Sequence, residues 1–168
     1  VEPGEDRRSV IQRVAEQVRP LAEKAGELDV EILFENAGSF CGAKDWWSLL
    51  NLLEHPMLGL VWNVANAAAA GESSAISVTM LNSRIHLVKV KDTKVGEGSG
   101  FVSLGEGTVE IERFLKRLMG VGYRGYVVVE WDRLWLPALS PASSYLPDAY
   151  ERLTGWFNTI MDAEKKGV

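Results

Sequence analysis

One cysteine in 168 residues, Cys41, leaves no partner for an intrachain disulfide and no set of thiolates for a zinc site. No apolar run approaches the roughly 20 residues that a membrane-spanning helix needs. The opening VEPGEDRR lacks the basic-then-apolar order of an export signal and resembles a loop entering a helix. Basic residues are also short, 18 against 23 acidic ones, so the net charge is −5 and there is no extended basic surface for a phosphate backbone. These absences set the first expectations: a soluble chain of the reducing cytoplasm, with no nucleic-acid partner and no membrane. What is present fits a packed interior, since 46% of the residues are apolar and 24% charged. No low-complexity linker, internal repeat or break in composition divides the chain, so residues 1–168 are expected to form one domain.

Helical and strand-like patterns alternate along the sequence. Val10, Ile11, Val14, Val18, Leu21, Ala22 and Ala25 make an apolar stripe at helical spacing, which predicts a helix over residues 8–27 that Pro20 kinks or divides. Short apolar runs at 30–35 (VEILFE), 58–63 (LGLVWN), 85–92 (IHLVKVKD) and 126–131 (YVVVEW) predict four strands. Between them lie DWWSLLNLLEH, with Asp45 as expected N-cap, then ESSAISVTMLNS and TVEIERFLKRLMGV, and a long amphipathic segment from Tyr145 closes the chain. The order αβαβαβαβα implies an α/β fold, a parallel sheet with right-handed crossovers covered by helices. A doubly wound sheet and a segment of a barrel share this pattern.

Buried parallel strands accept polar residues mainly where their C-terminal ends open onto a site. Glu35, Asn63, Lys89 and Glu130 stand at the ends of the four successive strands, and alternation lets all four face one side. His86 alternates in the opposite sense to Lys89 and is expected to face a covering helix. Cys41 follows Glu35 in a Gly-containing loop without any feature that would activate its thiol.

At these positions the chain resembles the xylose-isomerase-like TIM barrels, in particular their sugar phosphate isomerase/epimerase branch. The resemblance rests on ILFEN (32–36), LGLVWNVAN (58–66), RIHLVKVKD (84–92), LGEG (104–107) and, most specifically, GYRGYVVVEWDRLWLP (122–137). It implies a parallel (β/α) barrel of which this chain holds about the last four strand-helix units. It also implies a divalent metal, manganese or magnesium, on glutamate, aspartate, histidine and glutamate at the ends of the last four strands. The matching residues are Glu35, Asn63, Lys89 and Glu130, so the metal set reduces to Glu35, Asn63 and Glu130. Lys89 replaces an imidazole by an ammonium with no lone pair, and metal binding is expected to be weak or absent.

The resemblance further implies a small sugar-like substrate and an isomerase or epimerase that moves a proton through an enediolate. Glu35 and Glu130 would exchange the proton and Lys89 would stabilise the developing oxyanion. Two readings of Lys89 stay open: that role, or an ion pair with Glu35 or Glu130 filling a vacated metal seat. Asn66, Trp62, Trp131 and Asp92 are the substrate-binding candidates, each with a structural alternative: a loop turn for Asn66, packing for the tryptophans, capping of the next loop for Asp92. The 96–107 stretch is expected to be a flexible loop near the site. A non-catalytic relative that binds a ligand or partner through the former site is the alternative function. Zinc-dependent DNA repair, known elsewhere in the family, needs a histidine-rich cluster that two histidines cannot supply. Four strands alone leave two unpaired edges and an uncovered inner face, so the missing half barrel or a second copy of the chain is an expected partner.

Overall fold

The computed structural model describes residues 4–94 and 100–165. Helix α1 (Arg7–Leu28) begins at Asp6, whose side chain accepts from the Ser9 N–H, and buries Val10, Ile11, Ala15, Val18, Ala22 and Ala25. It runs unbroken through Pro20, contrary to the expected division. Pro20 and Glu16, the residue whose carbonyl loses its N–H partner, are both exposed, where water can replace the bond. Leu21 of the expected stripe is exposed and Ala15 takes its place in the core.

Four strands, β1 (Ile32–Glu35), β2 (Leu58–Asn63), β3 (Ile85–Val90) and, near the C-terminus, β6 (Tyr126–Val129), form a parallel sheet in chain order β1-β2-β3-β6. The first strand starts two residues later than its apolar run, because Asp29 adopts φ 52° and the Val30 N–H is held by the Ala25 carbonyl at the end of α1. Helices α2 (Ala43–Leu53), α3 (Val64–Ala69), α4 (Ser74–Leu81), α5 (Ile111–Gly120) and α6 (Ala142–Lys165) supply the crossovers and the closing element. Asp45 is not the N-cap of α2. Gly42 holds that position, the Ala43 N–H is met by Glu72 Oε1 at 3.1 Å, and Asp45 pairs with Arg7 at 2.6 Å. The short α3 has only six residues, too few to show a helical repeat in the sequence.

The core lies between the sheet and the helices. Leu58, Leu60 and Trp62 of β2 and Val88 and Val90 of β3 point into it, against Trp46, Leu49 and Leu50 of α2, Leu81 of α4 and Phe114, Leu115 and Leu118 of α5. Alternation sends Leu33, Val61 and Leu87 to the other, concave face, where they are only partly buried. On the same face of β6, Tyr126 and Val128 are exposed.

One residue breaks the alternation. Leu60 pairs with Ile85 but Val61 pairs with Leu87, so His86 is an extra residue in β3. The bulge turns its ring to the concave face, over Gly59, where a Cβ would lie 2.6 Å from His86 Nδ1, and onto Glu31 Oε1 at 2.5 Å. The expectation that His86 faces a helix is therefore corrected: counting by twos fails across a bulge.

Beyond β3 the chain does not form a simple flexible loop. Gly96 to Ser99 of the expected stretch lie outside the described residues, but β4 (Asp92–Thr93) and β5 (Phe101–Val102) pair antiparallel beside them. The buried Asp92 carboxylate accepts from the backbone N–H groups of Thr93 (2.9 Å), Gly105 (2.8 Å), Gly107 (3.0 Å) and Val109 (3.2 Å). One side chain thereby organises the whole approach to α5.

Candidate functional site

Parallel strands of matched register bring their last residues to one edge, and that edge carries the charge. Asn63 pairs in register with Lys89 across β2 and β3, and the β6 chain continues alongside β3 through the Glu130 N–H to the Val90 carbonyl. Lys89 Nζ lies 2.6 Å from Glu130 Oε1 and 3.0 and 3.2 Å from Glu35 Oε2 and Oε1. Lys91, two residues on and on the same face, reaches Glu130 Oε2 at 2.9 Å and Asp132 Oδ2 at 3.2 Å. A chain of alternating charge thus crosses the sheet from Glu35 through Lys89, Glu130 and Lys91 to Asp132.

Asn63 stands at the centre. Its Nδ2 donates to Glu35 Oε1 at 2.9 Å and to Glu130 Oε2 at 2.8 Å, while its Oδ1 accepts the Asn66 N–H at 3.2 Å and so caps α3. Asn36, which motif matching passed over, holds it there. Fully buried, Asn36 accepts the Asn63 N–H at 2.6 Å and donates to the Asn63 carbonyl at 3.0 Å, a two-way clasp between the ends of β1 and β2. The signal was present in the sequence as a polar residue directly after a strand-end glutamate, but nothing there distinguished a buried clasp from a turn.

The network fixes charge states. Burial works against the Lys89 ammonium, but the hydrogen bonds it donates to Glu130 and Glu35 outweigh it and hold the lysine above its ordinary range. Glu130 is likewise disfavoured as an anion by burial, yet Lys89, Lys91 and Asn63 together keep its carboxyl below the usual value. Both are charged at neutral pH.

The residues do not fit the divalent metal that the resemblance implies. A cation seated between Glu35 and Glu130 would meet the Lys89 ammonium and the NH2 of Asn63, both donors. Turning the amide over would aim its oxygen at two carboxylates and its NH2 at the Asn66 N–H. Among the described residues no group of three or more His, Cys, Asp or Glu is arranged to hold a metal.

The structure brings Glu35, Asn63, Lys89 and Glu130 together, adds Lys91 and Asp132, and sends other candidates elsewhere. Trp62, 0% exposed, points away from Asn63 into the helix-side core, so it has no route to a substrate on the concave face. Asp92 is committed to its four backbone donors. Asn66 donates from Nδ2 to the Asn36 carbonyl at 2.9 Å and braces the loop after β1. Trp131 stacks on Tyr145 with ring centroids 3.6 Å apart and donates from Nε1 to the Ser140 carbonyl, yet stays half-buried beside a pocket lined by Val129, Arg133, Leu134 and Leu146. Cys41 turns its Sγ–H to the Gly38 carbonyl at 3.1 Å, and burial pushes its thiol up. No helix among the described residues is long and apolar enough to cross a membrane.

Comparison with known proteins agrees with this architecture. The family model for the xylose isomerase-like TIM barrel matches residues 1–157. A search of curated proteins finds no match. Among solved structures, an L-ribulose 3-epimerase superposes with a TM-score of 0.80 at 13% identity, covering 98% of this chain and 59% of its own. An IOLI protein with a bound zinc atom gives 0.80 at 18% identity, over 95% and 60%. The probable 3-DHS dehydratase AsbF from Bacillus anthracis gives 0.70 at 17% identity, over 83% and 55%. At such identities the likeness is one of fold, and the chain spans between 55% and 60% of these three structures.

Proposed function

The chain belongs to the xylose isomerase-like TIM-barrel family, and from that premise we propose that its site moves a proton beside the carbonyl of a small polyhydroxy substrate, as an isomerase or epimerase does. The observation that carries this reading is the pair of carboxylates, Glu35 and Glu130, held on either side of the Lys89 ammonium at the C-terminal edge of the sheet. One carboxylate removes the proton from the carbon next to the carbonyl. The C–H electron pair forms the enediolate double bond and the carbonyl oxygen takes up the negative charge, which Lys89 meets. The other glutamate, protonated, returns a proton. Delivery to the opposite face of the same carbon gives an epimer, and delivery to the former carbonyl carbon, with the hydroxyl proton passing from the one oxygen to the other, moves the carbonyl. Glu130 is held ionised and so is ready to accept a proton, but its depressed pKa makes it a weak base until the closed site excludes water. Trp131, half-buried and next in sequence to Glu130, is kept as a candidate substrate surface. No step is routed through a metal.

A second reading has its own observation. All four oxygens of Glu35 and Glu130 already have partners, in Lys89, Lys91 and Asn63. A site so fully satisfied also suits a non-catalytic relative that binds a ligand or partner at its surface. Exchange of substrate hydrogen with deuterated solvent, followed by NMR over a panel of ketoses, separates the two. Exchange that disappears in Glu35→Gln supports catalysis, and no exchange with any ketose supports the binding reading.

A further inference from the structure

The position of Lys89 says more than that a metal ligand is missing. An ammonium has three N–H donors in a roughly tetrahedral fan. Lys89 Nζ faces three carboxylate oxygens, Glu130 Oε1 at 2.6 Å and Glu35 Oε2 and Oε1 at 3.0 and 3.2 Å. The Lys89 side chain is 22% exposed on the concave face. Its partners are held in turn, because Asn63 donates to both carboxylates and is itself clasped by Asn36.

We propose that Lys89 is a tethered cation in the seat a divalent ion would take and that the site works without metal. Two features carry the inference. A positive centre lies between two opposed carboxylates, as a bound ion would. Apart from the two carboxylates, the neighbouring groups, the Asn63 NH2 and the Lys91 ammonium, present N–H rather than lone pairs, so a second cation lacks the further ligands it needs. This rests on the arrangement of donors alone, so a failure of the proton-exchange experiment leaves it standing.

The test uses the whole chain and manganese as probe. Electron paramagnetic resonance of added Mn2+ should show the signal of the free ion undiminished by the native protein, before and after treatment with a chelator. The double variant Asn63→Asp/Lys89→His, which restores an aspartate and an imidazole between the glutamates, should remove the signal stoichiometrically. Stoichiometric binding by the native chain that is lost in Glu35→Gln would overturn the proposal. So would a folded double variant that ignores manganese, because Lys89 and Asn63 would then not be what excludes the ion. If the double variant does not fold, the Lys89 side-chain resonance of the native protein decides the matter. Unchanged line width on adding Mn2+ supports the tethered cation, and selective broadening at Lys89 refutes it.

Discussion

Asn63 donates to Glu130 across 67 residues of sequence at 2.8 Å, and the same NH2 group donates to Glu35 at 2.9 Å. One neutral side chain thus separates two carboxylates that would otherwise face each other with only Lys89 between them. An aspartate in its place would remove both hydrogen bonds and add a third negative charge.

Asn63→Asp should therefore lower the unfolding free energy at neutral pH by about 1–3 kcal/mol, the range for leaving buried polar groups without partners. Urea denaturation checks this. The deficit should shrink as the pH falls into the carboxylate range and the new charge is neutralised, whereas a variant as stable as the parent at pH 7 would contradict the role given to Asn63.

Catalysis should depend on both glutamates. In a protein that turns over a ketose, Glu35→Gln and Glu130→Gln are each expected to reduce kcat by roughly 10²-fold or more, the scale of general acid-base catalysis. Lys89→Met should reduce kcat more than it raises KM, because the charge it stabilises develops only in the transition state. Undiminished turnover in both glutamine variants would remove these carboxylates from the mechanism.

The buried Asp92 makes a stability prediction that is separate from the site. Asp92→Ala leaves the N–H groups of Thr93, Gly105, Gly107 and Val109 without their acceptor and should cost at least about 2 kcal/mol. Gly107→Ala should disturb the same loop from the other side, since a Cβ there would lie 2.6 Å from the Thr93 carbonyl oxygen. Faster hydrogen exchange at Gly105 and Val109 in both variants is the expected signature.

Alkaline titration should expose two tyrosines. Burial pushes the phenols of Tyr123 and Tyr145 up to about 12, with the Asp92 charge adding to the effect at Tyr145. Both folded-state values lie above the unfolded value near 10. The folded chain then holds protons that the unfolded chain releases, so the stability from these groups is intact below pH 10 and is lost as the pH rises towards 12. Tyrosinate absorbance should show two phenols ionising late, and thermal stability should fall across the same interval. Ionisation of all four tyrosines near pH 10 without unfolding would be inconsistent with this burial.

Much of this was legible from residue order. Strand positions followed from short apolar runs, and the convergence of Glu35, Asn63, Lys89 and Glu130 followed from alternation at strand ends, because both are local consequences of backbone geometry. The same local logic failed at His86, where a bulge shifts the register, and at Asp45, where Glu72 from a later loop supplies the cap. It also left Trp62, Asn66 and Asp92 each with two roles. Tertiary packing decided them: Trp62 faces the helices, Asn66 braces the loop after β1, and Asp92 collects backbone donors from a turn that begins thirteen residues later.

The sequence by itself determined the α/β alternation, the four parallel strands and which charged residues stand at their ends, since these depend on side-chain periodicity within a few residues of each position. Only the tertiary structure decided that Lys89 sits between the two glutamates, that Asn63 turns its NH2 to them, and that Asn36 holds it there. Those relations join residues 27 to 67 positions apart, and their strength depends on distances and donor directions that exist only when the strands lie side by side.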